Sequence, residues 1–141
     1  MKRCFAPPGW GSQSHDRTAF YLHAGTGITL FLVGPGVPFP LSVADEQGLD
    51  LKNVPRALAA RDTRGFIKLI RRKGSDELVG ARILAPEGGE QIMEAVLAIR
   101  HGIGVSELAS AFHPYLTQAE GINLCAQTFG KDVAKLSCCS T

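Results

Sequence analysis

The chain has 141 residues, 45% of them apolar and 20% charged, with a formal net charge of +2. That length accommodates one domain with a real core, and so mild a charge argues against nucleic acid or another polyelectrolyte as partner. Four cysteines, Cys4, Cys125, Cys138 and Cys139, fit no zinc-ligand spacing and no CxxC redox pair, and are too sparse for a secreted disulfide scaffold. A reducing cytoplasm is the expected location. Pro7-Pro8-Gly9 falls where a signal peptide needs its apolar run. His23, Gly25, Thr26 and Gly27 interrupt the apolar stretch at 19–33, which is also short of a membrane span, so no membrane association is expected.

Residues 1–42 read as an irregular arm. Gly9, Gly11, Gly25, Gly27, Gly34 and Gly36 alternate with Pro7, Pro8, Pro35, Pro38 and Pro40, which leaves room for one short strand, Ile28 to Val33. Gly25-Thr26-Gly27 has no full GxGxxG or Walker pattern around it and reads as a turn. From residue 43 the periodicities become regular. Leu49, Leu51 and Val54 suggest a short extended segment, Pro55 begins another, and Asp62-Thr63-Arg64-Gly65 make a turn. Phe66 to Arg71 is a strand of nearly continuous apolar character, which predicts cover on both faces. Lys73 to Asp76 turn the chain and Glu77 to Leu84 return it as the partner strand of a β-hairpin, with Arg71-Arg72-Lys73 as its solvated end.

Pro86-Glu87-Gly88-Gly89 open a helix in which Ile92, Met93, Val96, Leu97 and Arg100 recur at three and four residues. This spacing predicts an apolar stripe toward the sheet, with Glu90, Gln91 and Glu94 toward water and Gly102 as the stop. A second helix is expected from about Ser106 to Phe112, ended ahead of Pro114. Thr117 is placed to cap a third, with Ala119, Ile122, Ala126 and Phe129 on one face and Gly130 as its exit. Cys125, inside that helix, reads as a small buried apolar residue. Strands grouped before helices predict an α+β domain over 43–136, an antiparallel β-sheet with helices packed on one face.

The tail, 137–141, holds Cys138 and Cys139 side by side. Chain ends are usually exposed, so the pair is either a soft-metal site working by thiolate exchange or a frayed end with two spare thiols.

Several segments carry a family resemblance. Asn53 to Lys68 (NVPRALAARDTRGFIK), Gly80, Leu84 to Glu87, Ala98 to Arg100, Pro114 to Thr117, Glu120-Gly121, Ala126 to Phe129, Lys131 to Val133 and Leu136 to Cys139 resemble the C-terminal, dimerisation domain of mercuric reductases. These are flavoenzymes of the pyridine nucleotide disulfide oxidoreductase class. Pro-Tyr-Leu-Thr together with the terminal Ser-Cys-Cys separates them from their disulfide-reducing relatives. The resemblance implies a homodimer whose terminal cysteines, here Cys138 and Cys139, capture Hg(II) and pass it to the flavoprotein domains of a partner subunit. It implies FAD and NADP in the full-length enzymes. This chain has no dinucleotide fingerprint and no Cys-x4-Cys pair, so no cofactor is expected within it, and a truncated form unable to reduce mercury alone is the expectation. A plain homodimerisation domain without a metal role is the alternative.

The resemblance also points to His113 and Tyr115 as catalytic candidates. In the disulfide-reducing relatives a His-Pro-Thr segment supplies an active-site histidine, oriented by a glutamate five positions later. His113 is present here, but Gln118 stands at that later position, so His113 is expected to lack a carboxylate partner. Tyr115 matches the mercuric reductase pattern, in which a tyrosine lies beside the metal path. As a residue of an isolated domain it reads more readily as an interface aromatic with one hydrogen bond.

Overall fold

The computed structural model describes residues 17–24, 28–35 and 43–136, the first two stretches by their backbone alone. Five strands form one sheet: β1 (Arg17–Ala24), β2 (Ile28–Pro35), β3 (Ala44–Asp50), β4 (Phe66–Arg72) and β5 (Leu78–Ala85). Their order is β1-β2-β5-β4-β3, and every neighbouring pair is antiparallel. Helix α1 (Pro55–Ala59) lies between β3 and β4, and α2 (Gly88–His101), α3 (Val105–Ser110) and α4 (Glu120–Gln127) follow β5. α2 packs against β5 and β2, α4 against β3 and β4, and α3 beside α4. The α+β arrangement expected from the grouping of strands and helices is the one observed.

The core lies between the sheet and these helices. Leu49, Ile67, Leu69, Ala81, Ile83 and Ala85 are buried on the sheet, against Ile92, Ala95, Ala98 and Ile99 of α2 and Ile122 and Cys125 of α4. Each large aliphatic side chain so buried contributes roughly 1.5–3 kcal/mol. α4 is buried on nearly all sides, from Glu120 through Ala126. Gly121 favours this: a Cβ there would stand 2.5 Å from Ile67 Cδ1, the end of a side chain that would have to shift to admit it.

Four expectations change. The arm at 1–42 carries two strands, not one; Ile28–Val33 extends to Pro35 as β2 and pairs along its length with β1. Breaker density misleads here because Gly and Pro flank the strands and sit at their ends, where they cost little. Pro55 opens helix α1 rather than an extended segment, since a proline at the first helical position gives up an N–H that would be unbonded there anyway. β4 is fully covered on one face only: Ile67 and Leu69 are buried, while Phe66 and Ile70 on the other side are half-buried.

The fourth concerns α2. Met93 and Leu97 are 55% and 49% exposed, while Gln91 is fully buried. The strip that meets the sheet runs through Ile92, Ala95, Ala98 and Ile99, because alanines allow the close approach of helix to sheet. The larger residues are thereby turned outward.

Candidate functional site

Cys138 and Cys139, expected as metal ligands, lie outside the described residues. The chain leading to them is anchored: Asp132 accepts a hydrogen bond from the Ala134 N–H at 3.4 Å, and Leu136 packs against the core. Among the described residues no group of three or more His, Cys, Asp or Glu side chains is arranged to hold a metal ion. Cys125 is buried between α4 and the sheet, and its Sγ–H points at the carbonyls of Ile67 at 3.5 Å and Gln47 at 3.7 Å. Burial pushes this thiol up to about 12, partly offset by backbone hydrogen bonding at Leu69 and Leu49. A thiol so protonated is a poor nucleophile and a poor metal ligand. In the native protein, Cys125 should therefore resist iodoacetamide at pH 8 for hours and react at once in denaturant. Mass mapping showing native alkylation at Cys125 would contradict the buried placement.

His113 and Tyr115 sit on the segment between α3 and α4, and several elements hold that segment. Asn123 of α4 is buried, and its Nδ2 donates to the carbonyls of Leu108 (2.8 Å), Ala109 (3.0 Å) and Ala111 (3.1 Å). Its Oδ1 accepts from Gln127 Nε2 at 2.7 Å. One amide thus satisfies carbonyls that the C-terminal end of α3 leaves unpaired. The Ala111 carbonyl also accepts from His113 Nδ1 at 3.1 Å. Thr117 caps as expected, accepting from the Glu120 N–H at 3.3 Å while donating to the Pro114 carbonyl at 2.9 Å.

His113 does have a carboxylate partner, contrary to expectation. Its Nε2 lies 2.8 Å from Glu94 Oε1, with the imidazole only 10% exposed. The carboxylate comes from α2, across the fold, not from position 118. Gln118 is instead the acceptor for Gln91 Nε2 at 3.0 Å, again from α2. Nδ1 faces the Ala111 carbonyl, which only accepts, and Nε2 faces the Glu94 carboxylate. Both ring nitrogens are therefore engaged within the chain. This arrangement suits a fastener better than a free proton relay.

Tyr115 is 62% exposed and Phe112 90% exposed, with Leu116 beside them at φ +63°. A leucine in the left-handed region is strained, and such strain persists only where the surroundings impose it. Glu94, Gln91 and Asn123 are the residues that sequence reasoning missed. The spacing of Gln91 and Glu94, three apart on one helix, was available as a sign that they share a side. What that side faces was not.

Dinucleotides bind doubly wound sheets in the crevice beyond the ends of parallel strands. The all-antiparallel sheet has no such crevice among the described residues. Among these residues, no helix is long and apolar enough to cross a membrane.

The solved structure of LpdA from Mycobacterium tuberculosis matches with a TM-score of 0.72 at 23% identity, over 86% of this chain and 27% of that one. The HOCl-induced flavoprotein disulfide reductase RclA from Escherichia coli matches with a TM-score of 0.67 at 22% identity, over 88% and 29%. These likenesses establish the fold. In sequence, the chain is 57% identical over 96 residues to the mercuric reductase of Shewanella putrefaciens, and 58% identical over 96 residues to that of Serratia marcescens. Each match covers 68% of this chain but only 17% and 21% of the relative, so the chain spans about a fifth of those proteins' length. Residues 44–126, more than half of the chain, match the family described as pyridine nucleotide-disulphide oxidoreductase, dimerisation domain. The chain belongs to that family.

Proposed function

We propose that this chain is the dimerising, Hg(II)-capturing part of a mercuric-reductase-like oxidoreductase. The observation that carries the reading is the 57% identity to a mercuric reductase, against 23% or less to the structural relatives. Hg(II) enters as substrate. Cys138 and Cys139 each lose a proton and form a bis-thiolate with it, since soft thiolates select a soft cation. Incoming thiolates of a partner subunit then displace these two in turn, so the ion moves without release to water. Tyr115 lies beside that path in this reading, and His113 serves it by holding the Tyr115 turn. The reading ends at transfer, because no described residue of this chain supplies the two electrons for Hg(0).

Isothermal titration with Hg(II), under thiol competition, tests the capture step. Changing both Cys138 and Cys139 to alanine should weaken binding by roughly 10²- to 10⁴-fold, the loss expected when two linked ligands are removed together. Exposed Met93, Leu97, Phe112 and Tyr115 favour association of two copies, which sedimentation reads independently. A dimer whose Hg(II) affinity ignored the double substitution would leave only the homodimerisation reading.

A further inference from the structure

We infer that Glu94 and Gln91, two residues of α2, are positioning residues for the Tyr115 turn, with Glu94–His113 as the principal fastening. The inference rests on the reading above for what Tyr115 does, but its geometry stands alone. The turn is pinned on both sides of Tyr115: His113 to Glu94 at 2.8 Å before it, and Gln118 to Gln91 at 3.0 Å after it. Both anchors sit on a single helix, fourteen residues long and packed on the sheet, so they move as one body. Between the two pins the backbone holds Leu116 at φ +63° and Tyr115 is exposed, with exposed Phe112 just ahead of the first pin.

Three features argue that this is a built device and not incidental contact. Gln91 is a fully buried amide on the core side of its helix, where an apolar residue would otherwise pack. His113 is nearly buried with both ring nitrogens bonded, which fixes the orientation of the ring. Exposed large apolar side chains and a left-handed leucine would relax in an unsupported loop. Rigid support of a working side chain by a shell of hydrogen-bonded neighbours is how sites keep their geometry.

The test uses the 141-residue chain, without Hg(II), and the substitutions Glu94→Leu, Glu94→Gln and His113→Leu. Native chymotrypsin cleavage after Phe112 and Tyr115 reports opening of the turn, and NMR reports the His113 ring nitrogens and the Tyr115 ring. Glu94→Leu should speed cleavage by roughly ten- to a hundredfold, the range for losing a charged hydrogen bond. It should also erase the slowly exchanging His113 Nε2 proton, while Cys125 stays unreactive and so certifies an intact core. Glu94→Gln, which keeps an acceptor oxygen, should restore much of the protection. His113→Leu should loosen the turn equally, and the double variant should be no worse than either single one. Unchanged cleavage and Tyr115 shifts in Glu94→Leu, or fully additive effects in the double variant, would overturn the proposal. Since no arm contains Hg(II), failure of the metal reading in the cysteine experiment leaves this outcome untouched.

Discussion

Replacing Gly65 by alanine should cost roughly 3–5 kcal/mol of folding stability, the range of severe single substitutions. Gly65 ends the connection before β4 and holds φ at +115°, a conformation essentially reserved for glycine. Space is denied as well as conformation. A Cβ would fall 1.8 Å from the Leu84 carbonyl oxygen and 2.7 Å from its carbon, both backbone atoms of β5. Neither can yield without breaking the Phe66–Leu84 register beside it. The Gly65 carbonyl also accepts the Leu51 N–H at 3.1 Å, tying the end of β3 to the start of β4. Thermal unfolding should show a melting temperature lower by roughly 10 °C or more, at several degrees per kcal/mol for a domain of this size. A shift under about 3 °C would mean that the close approach to Leu84 is not real.

Asn123→Ala is the second large effect, and it touches the candidate site directly. The amide that serves Leu108, Ala109 and Ala111 disappears, and buried carbonyls are left without donors. Leaving such groups unpaired costs about 1–3 kcal/mol each at most, and Ala111 keeps its bond from His113, so a total loss of about 2–4 kcal/mol is expected. Asn123→Asp is the sharper comparison. It preserves volume but aims a carboxylate, which only accepts, at three acceptors, so at neutral pH it should destabilise more than alanine does. Denaturant titration ranks the variants. An Asn123→Asp protein as stable as wild type would rule out the donor role.

Local chemistry was legible along much of the chain. Lys73 to Asp76 read as a hairpin loop and Gly102 as a helix stop, because turn residues and positive-φ glycines act over a few residues and need no distant partner, whereas the turn expected at Asp62–Gly65 falls at Ala60 and Arg61. The hairpin of β4 and β5 and the capping role of Thr117 followed for the same reason. Cys125 was legible as core from its apolar neighbours.

Helix facing was not legible in the same way. The spacing in α2 is consistent with a strip through Met93 and Leu97, and equally with one through Ala95 and Ala98; the sheet selects the second, since small side chains permit closer packing. The partner of His113 was illegible for a related reason. A carboxylate five residues along is visible in a sequence, whereas Glu94 reaches His113 only after α2 and the segment after α3 have packed together.

The sequence by itself determined the α+β class, the β4–β5 hairpin and the helix stop at Gly102, since these rest on residue type and short-range spacing, and it carried the family resemblance. Tertiary structure alone decided which face of α2 is buried, why Gly65 must lack a side chain, and that His113 is fastened by Glu94. Those depend on contacts between residues far apart in the chain, and side-chain packing, not spacing, sets them.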